Sequence, residues 1–177
     1  NNFETADTPE SMEICFVADN NYKRFINEYT GESLNENGNK GTTLNEEGEV
    51  IGKNPGFINY TIGQRKGIGV TNSKPLYVKK IDSKNNAITV SEKQSLYSKS
   101  CKISNINWLI NKPTFPFSFN SQIRYNGNVS KAILHEKDND LLVTFDTPQL
   151  AVTPGQSIVF FNDGEKLLGG GIIELNE

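Results

Sequence analysis

The sequence predicts a mainly β protein with a small α+β part, and three observations support that fold class. From about residue 42 onward, short runs rich in β-branched and aromatic residues alternate with Gly, Asn and Asp turn signals. A single stretch before them has helical periodicity. The 177 residues are 35% hydrophobic and 10% aromatic, which is enough to pack one ordinary domain or two small ones.

The helix is predicted at about residues 20–30. Its large apolar residues recur at i, i+3, i+4 and i+7, and they are Tyr22, Phe25, Ile26 and Tyr29. Asp19 is placed to cap the start of the helix and Gly31 to end it. Residues 30–41 are polar and glycine-rich without periodicity, so we expect a loop there.

Nine strands are predicted after the helix, and eight of them follow residue 75. They are 57–62, 76–81, 87–91, 102–108, 121–126, 129–135, 141–146, 157–161 and 167–174. Asp163-Gly164 is a two-residue hairpin signal between the last two. Because no helical pattern interrupts these eight strands, they predict a closed or nearly closed antiparallel barrel over residues 76–177, preceded by a small α+β unit at 19–75 and a linker at 1–18.

Charge is distributed unevenly along a chain whose formal net charge is −3. Residues 1–50 carry three Lys/Arg and eleven Asp/Glu, residues 51–102 carry ten and two, and residues 103–177 carry five and eight. The middle block, at +8, is suited to phosphate groups, as in nucleic acid or phosphorylated small molecules. A solvated lysine-rich face is the alternative.

Several classes of protein are disfavoured by composition. Two cysteines, Cys15 and Cys101, cannot build a disulfide framework, and one histidine, His135, makes a zinc site improbable, so we expect no metal. No apolar run approaches 18 residues, and the first residues lack the pattern of a signal peptide. We therefore expect a cytoplasmic protein without a membrane partner.

A glycine-rich basic loop follows the first predicted strand. In Gly63-Gln64-Arg65-Lys66-Gly67-Ile68-Gly69, three glycines surround two cations, so backbone N–H groups and charged side chains could approach a phosphate together. The spacing is neither that of a P-loop nor that of a dinucleotide fingerprint. A glycine-rich turn with exposed charges is the alternative.

Four segments together resemble one family, the tRNA-specific 2-thiouridylases, which put sulfur on the wobble uridine of certain tRNAs. The segments recur in the family's order and spacing from about residue 6 to the end of the chain. They are Ala6–Phe16 around Cys15, Tyr60–Gly69, Ala151–Gln156 and Leu168–Ile173.

The resemblance implies that the chain is a fragment of such an enzyme. The family's N-terminal ATP-pyrophosphatase domain, with its Ser-Gly-Gly-Val-Asp-Ser loop and a second catalytic cysteine, has no counterpart here. The remaining parts would be an inter-domain segment, a central tRNA-binding domain and a six-stranded barrel similar to those of translation elongation factors. ATP would be a cofactor of the full-length enzyme and not of this fragment, which alone should be inactive.

The resemblance also implies roles for individual residues. Cys15 matches the cysteine that takes a persulfide from a sulfur-donor protein and delivers it to the ATP-activated uridine. The predicted tRNA contacts are Gly63, Gln64, Arg65, Lys66, Gly67, Arg124, Tyr125 and Gln156. Where the family commonly has a second arginine after the Arg-Tyr pair, this chain has Asn126-Gly127, which weakens the expected grip. Cys101 and His135 match no motif.

Two other functions compete with this interpretation. The first is a translation-factor-like barrel that binds RNA or protein without chemistry, and only Cys15 argues against it. The second is a methyltransferase, suggested by Gly169-Gly170-Gly171, but these glycines follow a predicted hairpin instead of joining a strand to a helix.

Overall fold

The computed structural model describes residues 16–17, 19, 21–30, 40–125, 127–137, 140–164 and 166–174. The helix α1 spans Tyr22–Thr30, and short 3₁₀ turns lie at Phe57–Asn59 and Lys93–Leu96. The strands are β1 Gly41–Leu44, β2 Val50–Asn54, β3 Leu76–Asp82, β4 Ala87–Glu92, β5 Tyr97–Trp108, β6 Phe117–Gln122, β7 Ser130–Lys137, β8 Asp140–Leu150, β9 Ser157–Phe161 and β10 Leu167–Ile173. In the described part of the chain, no helix is long and apolar enough to cross a membrane.

Strands β1 to β4 form a four-stranded sheet in the order β2-β1-β4-β3. β1 runs parallel to β4, and the other neighbours are antiparallel. A small core covers the sheet and consists of Tyr60, Ile68, Val78, Ile88 and Val90. Of its members, Tyr60 precedes the glycine-rich basic loop and Ile68 lies near the end of that loop, so burial of these two side chains holds the loop against the sheet.

Strands β5 to β10 close into the predicted six-stranded antiparallel barrel, in the order β10-β5-β8-β7-β6-β9. Its core is centred on side chains that are fully buried, among them Leu134, Val143, Phe145, Ile158 and Phe160. Phe160 lies 4.5 Å from Phe119 and 5.6 Å from Trp108, measured between ring centroids. The larger of the two cores therefore lies inside the barrel, and Trp108 belongs to it.

The predicted membership of residues 76–92 in the barrel is wrong. β3 and β4 pair with each other and, through β4, with β1, while the barrel begins at β5. Strands β1 and β2 were not among the predicted strands. Alternation along the sequence predicts that β4 is extended. It does not show that β4 pairs in parallel with β1, because the two strands are distant in sequence.

Residues 57–62 do not form the predicted strand. Phe57–Asn59 is a 3₁₀ turn, preceded by Gly56 at φ 110°. The Asn59 side-chain amide donates to the carbonyls of Pro55 and Gly56, and the Asn86 side chain accepts from the N–H of Phe57 at 3.0 Å. Side-chain hydrogen bonds to the backbone have thus replaced a strand ladder, as asparagine commonly allows.

Helix α1 is confirmed, but its cap is not Asp19. The Asn21 side-chain oxygen accepts from the N–H of Arg24 at 3.1 Å, which makes Asn21 the N-cap. Asp19 instead forms an ion pair with Arg24, and the hydrogen bond from that guanidinium lowers the pKa of Asp19 to about 2. No α1 residue is buried. The predicted end at Gly31 and most of the loop at 30–41 lie outside the described residues.

The barrel strands follow the predicted order, but several bounds differ: β5 begins at Tyr97 instead of residue 102, and β8 extends to Leu150 instead of residue 146. β6 spans Phe117–Gln122 instead of the predicted 121–126, and residues 123–125 are not part of a strand. The β9–β10 hairpin is confirmed, with its strands ending at 161 and starting again at 167 as predicted, so the connection is longer than the two-residue turn that Asp163-Gly164 signals. The Asn162 side chain accepts from the N–H groups of Gly164 and Lys166, which stabilises this longer loop.

We expect Phe160→Ala to lower the free energy of unfolding by about 3–5 kcal/mol, because it opens a cavity between Trp108 and Phe119. Denaturant unfolding of the whole chain measures this loss. Leu109→Ala is the control, since 57% of the Leu109 side chain is exposed and its truncation should cost about 1 kcal/mol or less. Equal losses would contradict the position of the main core inside the barrel.

Candidate functional site

A cleft of about 220 Å³ lies where the four-stranded sheet unit meets the barrel, and we call it the junction cleft. It is lined by Thr61, Ile62, Gly63, Tyr77, Lys93, Leu96, Arg124, Leu150, Ala151, Thr153 and Gln156. Three of these, Gly63, Arg124 and Gln156, were predicted as site residues from segments far apart in sequence. The fold brings them to one cavity, which no local pattern could show.

Ala151 is the residue on which the walls of the junction cleft meet. Its N–H donates to the carbonyl of Leu96 at 2.8 Å. Its carbonyl accepts from the Arg124 guanidinium at 2.5 Å and from the Thr153 hydroxyl at 2.9 Å. The residue is 4% exposed and has φ of 50°, a left-handed conformation that is rare for alanine. These hydrogen bonds hold the backbone there and tie three segments together.

Gly63 contributes the sheet side of the cleft. Its N–H donates to the carbonyl of Val78 at 2.8 Å, and the N–H of Val78 donates to the carbonyl of Gln64 at 2.9 Å. The loop therefore extends the sheet beyond β3. Gly63 has φ of 88°, and a Cβ placed on it would lie 3.3 Å from the Ala151 Cβ. Glycine is required here both for its conformation and for close packing against the barrel.

The Gln64 side chain is occupied within its own loop. Its oxygen accepts from the N–H of Thr61 at 3.0 Å, and its nitrogen donates to the carbonyl of Lys66 at 2.8 Å. The amide thus bridges both sides of the turn that presents Arg65 and Lys66. In this geometry Gln64 shapes the loop, and its contact with RNA stays a prediction.

Arg65, Lys66 and Gly67 are exposed, and none of them lines the junction cleft. Arg65 and Gly67 border a separate, open depression of about 650 Å³ that residues 67–76 complete. Neither Arg65 nor Lys66 forms an ion pair with a residue that the structure describes. The loop therefore presents two free charges beside the cleft and not inside it.

Arg124 and Tyr125 lie on a tight turn directly after β6. The N–H of Gly127 donates to the carbonyl of Arg124 at 2.9 Å. The Gln122 side chain donates to the carbonyls of Tyr125 and Gly127 at 2.8 and 3.1 Å. Tyr125 is 80% exposed, so its ring is available to a ligand. Sequence reasoning missed Gln122, although an amide at a strand end before Asn-Gly is a signal for such a clamp.

Gln156 has a fixed backbone and an accessible side chain. Gly155, at φ 83°, turns the chain so that its N–H donates to Ile173 and the carbonyl of Gln156 accepts from Ile173, both at 2.8 Å. The exposed side-chain amide of Gln156 makes no hydrogen bond with any residue in the described ranges, whereas its backbone N–H donates to the carbonyl of Thr153 at 3.3 Å. It can therefore donate to or accept from a ligand in the junction cleft.

Ion pairs neutralise part of the positively charged middle block. Lys74 pairs with Glu92 at 2.7 Å, Lys79 with Glu46 at 2.6 Å and Lys102 with Asp140 at 2.7 Å. The hydrogen bond from Lys79, with a smaller one from Ser95, lowers the pKa of Glu46. The positive charge left at the junction cleft and its neighbouring loop is carried by Arg65, Lys66, Lys93 and Arg124.

The two cysteines and the question of a metal site remain from the sequence analysis. Cys15 lies outside the described residues. Cys101 is 1% exposed, and burial raises its pKa from the ordinary 9.0 to about 12, so it is an unreactive core thiol. Over the ranges that the structure describes, no three His, Cys, Asp or Glu residues cluster as a metal site would require.

The glycine run 169–171 has a packing role in the barrel. It lies within β10 between β5 and β9. A Cβ on Gly169 would be 2.4 Å from the carbonyl oxygen of Asn107, and one on Gly170 would be 2.7 Å from that of Ile158. The run therefore lets β10 lie close to both neighbours where the barrel closes, and it gives no support to a methyl-donor site.

Two family models match consecutive parts of the chain. One is described as tRNA methyl transferase PRC-barrel domain and matches residues 23–92. The other is described as Aminomethyltransferase beta-barrel domain and matches residues 98–173. The gap between them coincides with the 3₁₀ turn that separates β4 from β5, so both comparisons and strand pairing divide the chain at the same place.

Relatives resemble the chain over nearly its whole length. It is 44% identical to the tRNA-specific 2-thiouridylase MnmA of Halothermothrix orenii, covering 98% of this chain and 48% of that protein. It is 42% identical to that of Acetivibrio thermocellus, covering 96% and 46%, and 39% identical to that of Rippkaea orientalis, covering 97% and 48%. The chain thus spans about half the length of these relatives.

Two glycine substitutions test the packing of the junction cleft. Gly63→Ala and Gly69→Ala both place alanine at positive φ, 88° and 76°, which costs about 1–2 kcal/mol each. Only the Gly63 methyl meets the barrel, because nothing lies within 4 Å of a Cβ on Gly69. We expect Gly63→Ala to lower the free energy of unfolding further, as measured by denaturant titration. Equal losses would mean that the loop does not press on Ala151.

Proposed function

Because this chain belongs to the tRNA-specific 2-thiouridylase family, we propose that it is the tRNA-binding and sulfur-carrying half of an enzyme that thiolates the wobble uridine of tRNA. ATP binding and uridine activation are assigned to the half that the relatives have in addition. No described segment here has the spacing of an ATP phosphate loop. A sulfur-donor protein is the second partner that the proposal requires.

The observation that carries this proposal is the convergence of Gly63, Arg124 and Gln156 on the junction cleft, with Arg65 and Lys66 beside it. Arginine can hold a phosphate through two parallel hydrogen bonds, and an amide can donate and accept at a ribose. The exposed Tyr125 offers a ring for stacking. Such contacts position an RNA backbone and do not read its sequence.

The sulfur chemistry is proposed for Cys15. Its thiolate would take the terminal sulfur of the donor's persulfide and release the donor as a thiolate. That terminal sulfur then bonds to C2 of the adenylated uridine while the C2–oxygen bond breaks and AMP leaves. A second thiol must cleave the remaining S–S bond, which suits the second cysteine that the family carries in its N-terminal domain.

Removal of the loop charges should weaken tRNA binding by the full-length protein. Arg65→Ala/Lys66→Ala should reduce the slope of log affinity against log salt by roughly one to two, since each lost phosphate contact removes about 0.7–0.9. Titration of labelled tRNA at several salt concentrations measures the slope. The melting temperature should barely change, because exposed charges contribute little to folding.

Lys53→Ala/Lys84→Ala is a charge-matched control. Lys53 lies on β2 and Lys84 lies in the β3–β4 turn, and neither lines the junction cleft or the depression beside the basic loop. This control should leave the salt slope near that of the unchanged protein. If both double variants reduced the salt slope equally, the effect would come from net charge. The result would then contradict a specific contact between the basic loop and RNA.

The two cysteines provide a matched test of sulfur transfer. Cys15→Ser in the full-length enzyme should abolish both persulfide formation and tRNA thiolation without changing tRNA affinity. Cys101→Ser should still form the persulfide on Cys15, because Cys101 is buried in the barrel core. Peptide mass spectrometry after incubation with a sulfur donor locates the sulfur. Unchanged tRNA thiolation in Cys15→Ser would contradict the proposed role of Cys15. It would favour the alternative in which this part of the protein only binds RNA.

A further inference from the structure

Lys93 is a cation of the junction cleft that the sequence analysis did not single out. It begins the 3₁₀ turn Lys93–Leu96, which connects β4 of the sheet unit to β5 of the barrel. Its side chain is exposed and lines the same cavity as Gly63, Arg124 and Gln156. A second positive charge thus enters the cleft from the connection between the two units.

The charge of Lys93 is not neutralised within the described part of the chain. The adjacent acid, Glu92, is engaged by Lys74 at 2.7 Å. Lys93 itself forms no ion pair there. Lys79, the nearby cation of β3, differs because Glu46 holds it at 2.6 Å. Its charge is therefore free to attract an anion into the cleft.

The turn that carries Lys93 is anchored to both units. The carbonyl of Leu96 accepts from the N–H of Ala151 in the barrel at 2.8 Å. The Ser95 hydroxyl donates at 3.0 Å to the Glu46 carboxylate, which also holds Lys79 of the sheet. The position of the Lys93 backbone is therefore set before any ligand arrives, which reduces the ordering cost of binding.

We propose that Lys93 binds a backbone phosphate of RNA in the junction cleft, together with Arg124. This inference rests on the proposed function and assigns it a further contact. The cavity, about 220 Å³, has room for a sugar-phosphate unit and not for a duplex. A compact ammonium on one wall and a planar guanidinium on another suit a single phosphate, while the Gln156 amide suits the attached ribose.

The test compares Lys93→Ala, Lys93→Arg and Lys84→Ala in the full-length protein, with tRNA binding measured over a range of salt concentrations. Loss of one phosphate contact should lower the salt slope by about 0.7–0.9, which corresponds to roughly 5–8-fold weaker binding at about 0.1 M salt. Lys93→Arg should retain both the salt slope and the tRNA affinity of the unchanged protein, because it keeps the positive charge. Lys84→Ala removes the same charge outside the cleft and should change neither.

Several outcomes would overturn the assignment. If Lys93→Ala and Lys84→Ala had the same salt slope, Lys93 would not contact an RNA phosphate. Competition by inorganic phosphate that Lys93→Ala abolishes, without a change in the RNA slope, would assign the cleft to a free anion. If Arg65→Ala/Lys66→Ala weakens binding while Lys93→Ala does not, only this inference fails. If the unchanged protein does not bind tRNA, the proposed function itself fails.

Discussion

The arrangement of the functional surface depends on the left-handed conformation of Ala151. Its N–H and carbonyl point to two different segments, Leu96 and Arg124, and its methyl group meets Gly63. An alanine at φ 50° is strained, so the conformation persists only because these partners over-determine it. The same three contacts bring the connection, the β6–β7 turn and the glycine-rich loop to one cavity.

The barrel supplies a rigid scaffold, and the candidate RNA-binding residues lie on loops of the barrel and of the sheet unit. Closure through β10 removes free strand edges, and the glycines there let β10 approach the β5 and β9 backbones. Fully buried residues such as Phe145 and Phe160 fill the interior. On this scaffold, side-chain amides set the loops: Gln122 clamps the turn of Arg124 and Tyr125, and Gln64 clamps the turn of Arg65 and Lys66. Functional charges therefore stand on loops whose backbones are already fixed.

Electrostatics explains how an acidic chain can offer a surface for an anionic polymer. Lys74, Lys79 and Lys102 are paired with carboxylates, two of which, Glu46 and Asp140, come from outside the basic block. Such exposed pairs contribute little to stability, but they remove positive charge from positions away from the junction cleft. Arg65, Lys66, Lys93 and Arg124 retain theirs. The proposed attraction of RNA is thus local, and the net charge of −3 is no obstacle to it.

Local sequence patterns were enough to predict the helix, most of the barrel strands and the main candidate residues. Periodicity located α1 and most barrel strands, because alternation and helical spacing are local properties. The basic loop identified Arg65 and Lys66 as candidates, and the family resemblance added Arg124 and Gln156. Strand partners, by contrast, could not be predicted before the chain was seen folded. β3 and β4 joined the sheet through the parallel pairing of β4 with β1, a long-range contact that leaves no local signal. The roles of Lys93 and Ala151 were likewise not predicted, since they come from a cavity and from hydrogen bonds that exist only once distant segments meet.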